Sequence, residues 1–433
     1  MNILQITPGA GRMYCGNCFR DNAMVAALRD AGHAVTMLPL YLPLTLDETD
    51  QSAGMPIFYN GVNVYLEQRL PLYRHAPRWV HRMIGSRRVL DWAAGRAAKT
   101  RAEDVGDLTL SMLRGEEGNQ ACELEEMLAW LRTQPQPDVI CLSNALLLGM
   151  ARRLRAELRA PIVCLMQNEG PYIDQMPNGV RDQVWALMAE RARDVACFVA
   201  PSRYYAQRMQ QRLNLSSDRV HAVYNGINTD GYTSADAPLD PPVLGFFSRM
   251  CRDKGLDTLV EAFVQLRQRN RVPRLKLRVG GGCGPSDEPF VEGLRQNLHA
   301  HGLLGDVDFQ RNLDRAGKQR FLKSLSVLSV PAAFGEAFGF YVIEAIAAGV
   351  PVVQPRTASF PELVEATGGG VCYEPTDVPA LVDAIEKMLL APAEAKAMGL
   401  CGRDVVLKQF SHTTMARSMA ELFAKVSAQP HPA

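Results

Sequence analysis

"VLSVPAAFGEAFGFYVIEAIAAGVPVVQP", Val327–Pro355, holds an apolar run, a glycine-bearing loop, an apolar stretch of helical length and a second apolar run. The outer runs are rich in Val and lack polar alternation, as parallel strands covered on both faces do. Between them "FYVIEAIAAG" reads as a crossover helix with its amino terminus near Gly339. Two acids interrupt this strand–helix–strand unit, Glu336 in the loop and Glu344 inside the helix. A carboxylate loses roughly several kcal/mol on leaving water unless something pairs with it, so each acid raises the question of its partner.

The same rhythm extends in both directions. "VLGFFSR", "LKLRVGG", "VDFQRN" and "GVCYEP" complete one series of short strands separated by helices. An earlier series comprises "NILQIT", "AVTMLPL", "DVICLSN", "PIVCLMQ" and "CFVAPS", with helical patterns at Arg20–Ala31, Ala145–Arg159 and Val180–Asp194. Repeated βα units predict an α/β fold of two doubly wound parallel sheets, with a cleft at the carboxyl ends of their strands. The link between the series is "VYNGINTDGYTSADAPLDPP", Val223–Pro242, rich in Gly, Pro, Asp and Ser. The expected domains are 1–235 and 242–410, followed by a terminal helix over 411–428. An insertion at about 47–136 breaks the pattern and is expected to be helical.

Composition narrows the function. With 433 residues, 47% hydrophobic and 21% charged, the chain can bury two full cores. Its 47 Lys and Arg balance 46 Asp and Glu, which gives no general attraction to nucleic acid. "MNILQITP" reads as a strand from the first residues, no run reaches membrane-span length, and the ten cysteines fall mostly in apolar segments. A cytoplasmic protein is expected. Tyr73–Arg101 carries eight Lys or Arg among Trp79, Met83, Ile84 and Trp92. This stretch is a solvated helical insertion or, alternatively, a peripheral patch for an anionic membrane surface at the cytoplasmic face.

Three features carry chemistry. The start of the helix near Gly339 offers unpaired N–H groups and a favourable dipole, a ready anion site beside Glu336. Arg249 and Lys254, in "SRMCRDKGLDTLVEAF", follow the first strand of the second series, and strand ends of one parallel sheet share an edge. Both cations are thus expected at the same anion, where they would offset a diphosphate's charge. The turn "RVGGGCGP" ends a strand with glycines but lacks the third glycine of a dinucleotide fingerprint, and "PGAGRMY" fails in the same way. The one D-x-D, Asp306–Asp308, begins a predicted strand and reads as a structural acid turn. Cys15 and Cys18 form half of a zinc or redox motif with no second half, and helix-start packing is the simpler reading.

Together these features resemble glycosyltransferase family 4, whose members are retaining, nucleotide-sugar-dependent enzymes of the GT-B fold. The match is strong over about Pro242–Phe410, where Glu336 and Glu344 form the family's E-x7-E, and looser in "PGAG", "APSRYYAQRM" and "VYNGIN". The resemblance implies two Rossmann-like domains and a terminal helix crossing back to the first. It implies that Glu336 binds hydroxyls of the transferred sugar, Glu344 the ribose, and Arg249 and Lys254 the diphosphate. Amides around Phe338 and Gly339 would cradle sugar or phosphate, Gly282 and Gly284 would lie near the nucleotide, and Gly9 and Gly11 would line the cleft wall. Where the family often carries His-Asp, this chain has Gln167, Asn168 and Glu169, which become the candidates for sugar or acceptor contacts. The partners implied are a nucleotide-sugar donor and a saccharide, lipid-linked or small-molecule acceptor, with no metal, no further cofactor and no nucleic acid. A non-catalytic nucleotide-sugar-binding protein or a sugar-nucleotide epimerase of the same architecture is the alternative.

Overall fold

A computed structural model describes residues 1–9, 16–46, 48–59, 102–332, 334–375 and 377–429. They form two compact units, one of residues 1–224 with 415–433 and the other of 225–414. Each unit holds one six-stranded sheet, and every strand pair in both sheets is parallel.

In the first unit the strands are β1 (Asn2–Thr7), β2 (Ala34–Pro39), β3 (Val139–Leu142), β4 (Ile162–Leu165), β5 (Cys197–Ala200) and β6 (Val220–Ala222), in sheet order β2-β1-β3-β4-β5-β6. Every residue of the central strands β3, β4 and β5 is buried, as expected of strands covered on both faces. One face packs on the helix Gly16–Asp30, with Cys18, Met24, Val25 and Leu28 in its core. The same core takes Met415, Met419, Leu422, Phe423 and Val426 from the last helix, His412–Ser427. That spacing puts all five on one helical face.

In the second unit the strands are β7 (Val243–Phe247), β8 (Lys276–Gly281), β9 (Val307–Arg311), β10 (Val327–Leu328), β11 (Val352–Pro355) and β12 (Gly370–Tyr373), in order β12-β11-β10-β7-β8-β9. The helix Leu256–Arg269 follows β7 and buries Leu259, Val260, Phe263 and Leu266. The helix Phe340–Ala347 follows β10 and buries every residue from Tyr341 to Ala347 except Glu344. Direction reverses between β7 and β10, so the loops after these two strands diverge at the same edge of the sheet. That is the point where open α/β sheets bind ligands.

The structure departs from the sequence reading in instructive places. β6 was not expected: it is a three-residue edge strand with a central His221, too short and too exposed to leave a periodic signal. The run "VLSVPA" contributes only Val327–Leu328 as strand; the Ser329 amide still donates to the Gly245 carbonyl at 2.9 Å before the chain turns, where the Ala332 amide donates to the Val330 carbonyl at 2.8 Å. Ala145–Arg159 is a 3-10 turn, Ala145–Met150, continued by an α-helix, Ala151–Leu158. Gly149 in that turn lies against the main chain of Met112 and Leu113. Of the insertion, the helices Ala102–Arg114 and Ala121–Leu131 are described. The basic segment 73–101 lies outside the described residues, as do Gly11 and Cys15.

Candidate active site in the second unit

Both loops at the reversal point are shaped by glycine. Gly255, at the start of the helix after β7, has φ +72°, and a Cβ there would sit 2.0 Å from the Pro331 carbonyl oxygen of the loop after β10. Only glycine allows the two loops this approach. It carries Lys254 to the second loop, where the Lys254 ammonium pairs with Glu336 Oε1. Eighty-two residues apart in sequence, these two are the acid and cation that the loops bring together.

Glu336 has a second neighbour. The Tyr341 hydroxyl lies 3.5 Å from its Oε1. Burial, then the Glu336 charge, push the Tyr341 phenol well above its ordinary pKa, so it remains a neutral donor. The loop is held behind Glu336 by Ser359, which donates to the Glu336 carbonyl at 3.3 Å and through its hydroxyl to the Phe338 carbonyl at 2.9 Å. Phe338 itself is a core residue, its ring packed on Phe340 and Phe410 at 5.4 and 6.4 Å. Any part it takes in binding belongs to its main chain. Gly339 caps the helix in the left-handed region, φ 89°.

Glu344 stands at the fifth residue of that helix. Four residues of rise, about 6 Å, separate it from the helix start, so the acids are offset by about one turn and a loop. Its partners come from elsewhere: Lys318 Nζ at 2.8 Å and the Tyr232 hydroxyl at 3.1 Å, both on Oε1. Each of the two acids is 12% exposed, and each has a lysine. The several-kcal/mol penalty for withdrawing a carboxylate from water is met by these pairs.

Arg249 was expected at the same anion as Lys254. Its guanidinium instead engages Asp287, with Nη2 to Oδ1 at 2.9 Å and Nε to Oδ2 at 3.1 Å. Asp287 also accepts from the Gly284 amide at 3.1 Å, while the Met250 amide donates to the Gly282 carbonyl at 2.8 Å. The glycine turn after β8 is therefore stitched to the Arg249 loop. A Cβ on Gly282 would meet nothing within 4 Å, so that side of the turn is open.

Lys318, Tyr232, Tyr341 and Asp287 escaped sequence reasoning. Lys318 is one of four basic residues on the helix Arg315–Lys323 and looks like an ordinary solvated charge. Nothing in spacing links it to an acid 26 residues on. Thr357 was missed as well; its buried hydroxyl has no hydrogen-bond partner among the described residues, and it sits against Gly335 of the Glu336 loop. Asp306 of the D-x-D pairs with Lys276 and Arg267, whose hydrogen bonds hold its carboxyl below the usual carboxylate range. Asp308 accepts from Gln310 at 2.6 Å.

The first unit holds the remaining candidates. Gly9 lies on the main chain of Leu42, where a Cβ would be 1.9 Å from a carbonyl oxygen. Glu169 is buried and fully committed: it accepts from the Ala145 amide at 2.9 Å, the Gln167 amide at 2.8 Å and the Tyr205 hydroxyl at 2.8 Å. Gln167 is buried, its carboxamide oxygen toward Arg20 and its nitrogen 2.8 Å from Asn17. Asn168 is the more accessible of the three. Cys18 is a core residue, consistent with packing at the helix start. Among the described residues no three His, Cys, Asp or Glu side chains converge as a metal site would require. None of the described helices is long and apolar enough to cross a membrane.

Known proteins share these features. The family described as "Glycosyl transferases group 1" matches residues 233–404, and "Glycosyltransferase Family 4" matches 108–230. A GDP-mannose-dependent alpha-(1-6)-phosphatidylinositol monomannoside mannosyltransferase from Mycolicibacterium smegmatis is 30% identical over 53% of this chain and 62% of its own length. An alpha-maltose-1-phosphate synthase from the same organism is 28% identical over 49% of this chain and 59% of its own. The chain thus spans between about half and three-fifths of the length of the curated relatives it matches. Among solved structures, sucrose-phosphate synthase from Thermosynechococcus elongatus superposes with a TM-score of 0.70 over 99% of both chains at 18% identity. The catalytic domain of starch synthase IV from Arabidopsis thaliana, bound to ADP and acarbose, gives 0.67 over 99% of both at 13%. These two likenesses show a common fold.

Proposed function

Because the chain belongs to glycosyltransferase family 4, we propose that it transfers a sugar from a nucleoside-diphosphate sugar to an acceptor hydroxyl, with retention at the anomeric carbon. The observation that carries this reading is the Lys254–Glu336 pair at the reversal point of the second sheet, backed by the Lys318–Glu344 pair.

The pairs describe a site at rest. An arriving diphosphate competes for Lys254 and for Arg249, whose side chain is 60% exposed and has room to turn. Lys254 then moves its charge onto phosphate, and Glu336 is released to accept hydrogen bonds from two hydroxyls of the sugar. Glu344, still held by Lys318 and Tyr232, accepts from the ribose hydroxyls. As the C1–O bond breaks, its electron pair passes to the diphosphate. Once they have turned onto the diphosphate, the two cations and the helix start at Gly339 face that growing charge. The acceptor oxygen bonds to C1 on the same face, and its proton passes to an oxygen of the departing diphosphate. Glu336 positions the sugar and forms no covalent bond. No metal enters this scheme, so enzyme treated with a chelator should keep its activity.

The relatives' names include a mannosyltransferase that acts on a phosphatidylinositol monomannoside and a maltose-1-phosphate synthase. Both support a sugar-bearing acceptor, lipid-linked or free. The test is turnover of UDP-, GDP- and ADP-sugars followed by NMR of the product anomer. A product with the donor's anomeric configuration is expected. An inverted product would overturn retention, and tight donor binding without transfer or hydrolysis would favour a binding protein.

A further inference from the structure

A cavity of about 840 Å³ opens in the first unit at the edge of the sheet opposite Gln167–Glu169. Its wall includes Arg152, Arg155, Arg159, Arg193 and Arg219, with Asp194 as the one acid. The sheet explains the crowding. β4, β5 and β6 are adjacent and parallel, with Val163 beside Cys197 and Phe198 beside Val220, so all three are entered from one edge. Arg159 lies in the turn leading into β4, Arg193 in the turn into β5, and Arg219 immediately before β6. Neighbouring strands are about 4.8 Å apart, which brings the three arginines side by side.

The local bonding separates these arginines into two kinds. Arg219 is fixed by its own protein, donating to the carbonyls of Ala192 at 2.6 Å and Val195 at 2.5 Å. Arg152 is balanced by acids, Glu116 at 3.3 Å, Asp194 at 3.5 Å and Glu190 at 3.8 Å. Arg159 and Arg193 have exposed side chains and no ion pair among the described residues. Arg159 is moreover held at φ 50°, a backbone region that non-glycine residues rarely adopt. The ends of the helices Ala151–Leu158 and Asn178–Arg191 point toward this edge and offer partial negative charge. Two half-charges do not offset the unpaired guanidinium groups. A planar fork of donors binds phosphate oxygens two at a time, and two such forks on one wall suit an anion of more than one charge.

We infer that this arginine-lined cavity binds a phosphate-bearing anion, at a site separate from the sugar-nucleotide chemistry of the second unit. The ligand is a free phosphate compound or the headgroup of an anionic lipid. The test compares wild type with R159E/R193E and with R159Q/R193Q, both on exposed side chains, after matched thermal melts confirm folding. Pyrophosphate is titrated calorimetrically at low salt in one arm. Sedimentation with phosphatidylglycerol vesicles, against phosphatidylcholine vesicles, forms the other. Because the donor site of every variant is intact, binding there is a constant background. A site of this kind predicts at least a tenfold loss of affinity in R159E/R193E and a smaller loss in R159Q/R193Q, for pyrophosphate if the ligand is soluble and for vesicles if it is lipid. Equal affinities for all three proteins in both arms would overturn it.

Discussion

Lys254 and Glu336 are each ordinary in isolation, a loop cation and a helix-start acid; their contact makes them a site. Lys254→Ala should lower kcat/KM for the donor about a hundredfold, since one lost charge-stabilising donor is worth roughly 3 kcal/mol in the transition state. Glu336→Ala, which removes the acceptor that positions the sugar, should cost a similar factor. If both variants stayed within a factor of two of wild type in donor turnover, the assignment would fail. Glu169 illustrates the opposite case, a polar residue whose work is structural. With three donors converging on its carboxylate, Glu169→Ala leaves buried groups without acceptors. The expected cost is about 2–3 kcal/mol of stability, seen as a lower midpoint in denaturant unfolding. An unchanged midpoint would show that these bonds contribute nothing net.

At the level of elements, the site depends on two loops touching at one point. Gly255→Ala would force a Cβ into the Pro331 carbonyl and strain a left-handed backbone. It should destabilise the second unit by about 1–2 kcal/mol and raise donor KM, because the Lys254 loop moves away from Glu336. Wild-type melting temperature together with wild-type KM would count against this coupling. Asp306 ties β8 and the helix Leu256–Arg269 to the start of β9 through Lys276 and Arg267. Its carboxyl is held low by those hydrogen bonds. That contribution is present above the ordinary carboxylate pKa and is lost as pH falls through the depressed folded value. Asp306→Asn should therefore lose stability at neutral pH and flatten the acid limb of the stability curve, as measured by urea midpoints from pH 7 to pH 3.

For the molecule as a whole, ligand binding and folding are linked. A nucleoside diphosphate that occupies the second unit adds stability by mass action, about 2.7 kcal/mol at a hundred times its dissociation constant. A thermal-shift series with UDP, GDP and ADP should single out one base by the largest rise in melting temperature. The rise should vanish in a Lys254→Ala, Glu344→Ala double variant; its persistence there would place the nucleotide elsewhere. The arginine cavity should not respond to that double variant, since it belongs to the other compact unit.

Sequence alone determined the class of fold. Among the described strands, β3, β4, β5 and β11 announce themselves as short apolar runs because strands buried on both faces admit little else, while β8 and β9 carry charged residues and were read from the repeating strand–helix rhythm. It also marked Glu336, Glu344, Lys254 and Arg249, because acids and glycines in an apolar strand–helix unit need a reason. Tertiary structure decided which charge meets which. Lys318 reaches Glu344 and Asp287 takes Arg249 through sheet order and loop closure, which bring together residues dozens of positions apart. No local period encodes such a meeting. The arginines before β4, β5 and β6 are likewise scattered in sequence and become neighbours only when three parallel strands are laid side by side.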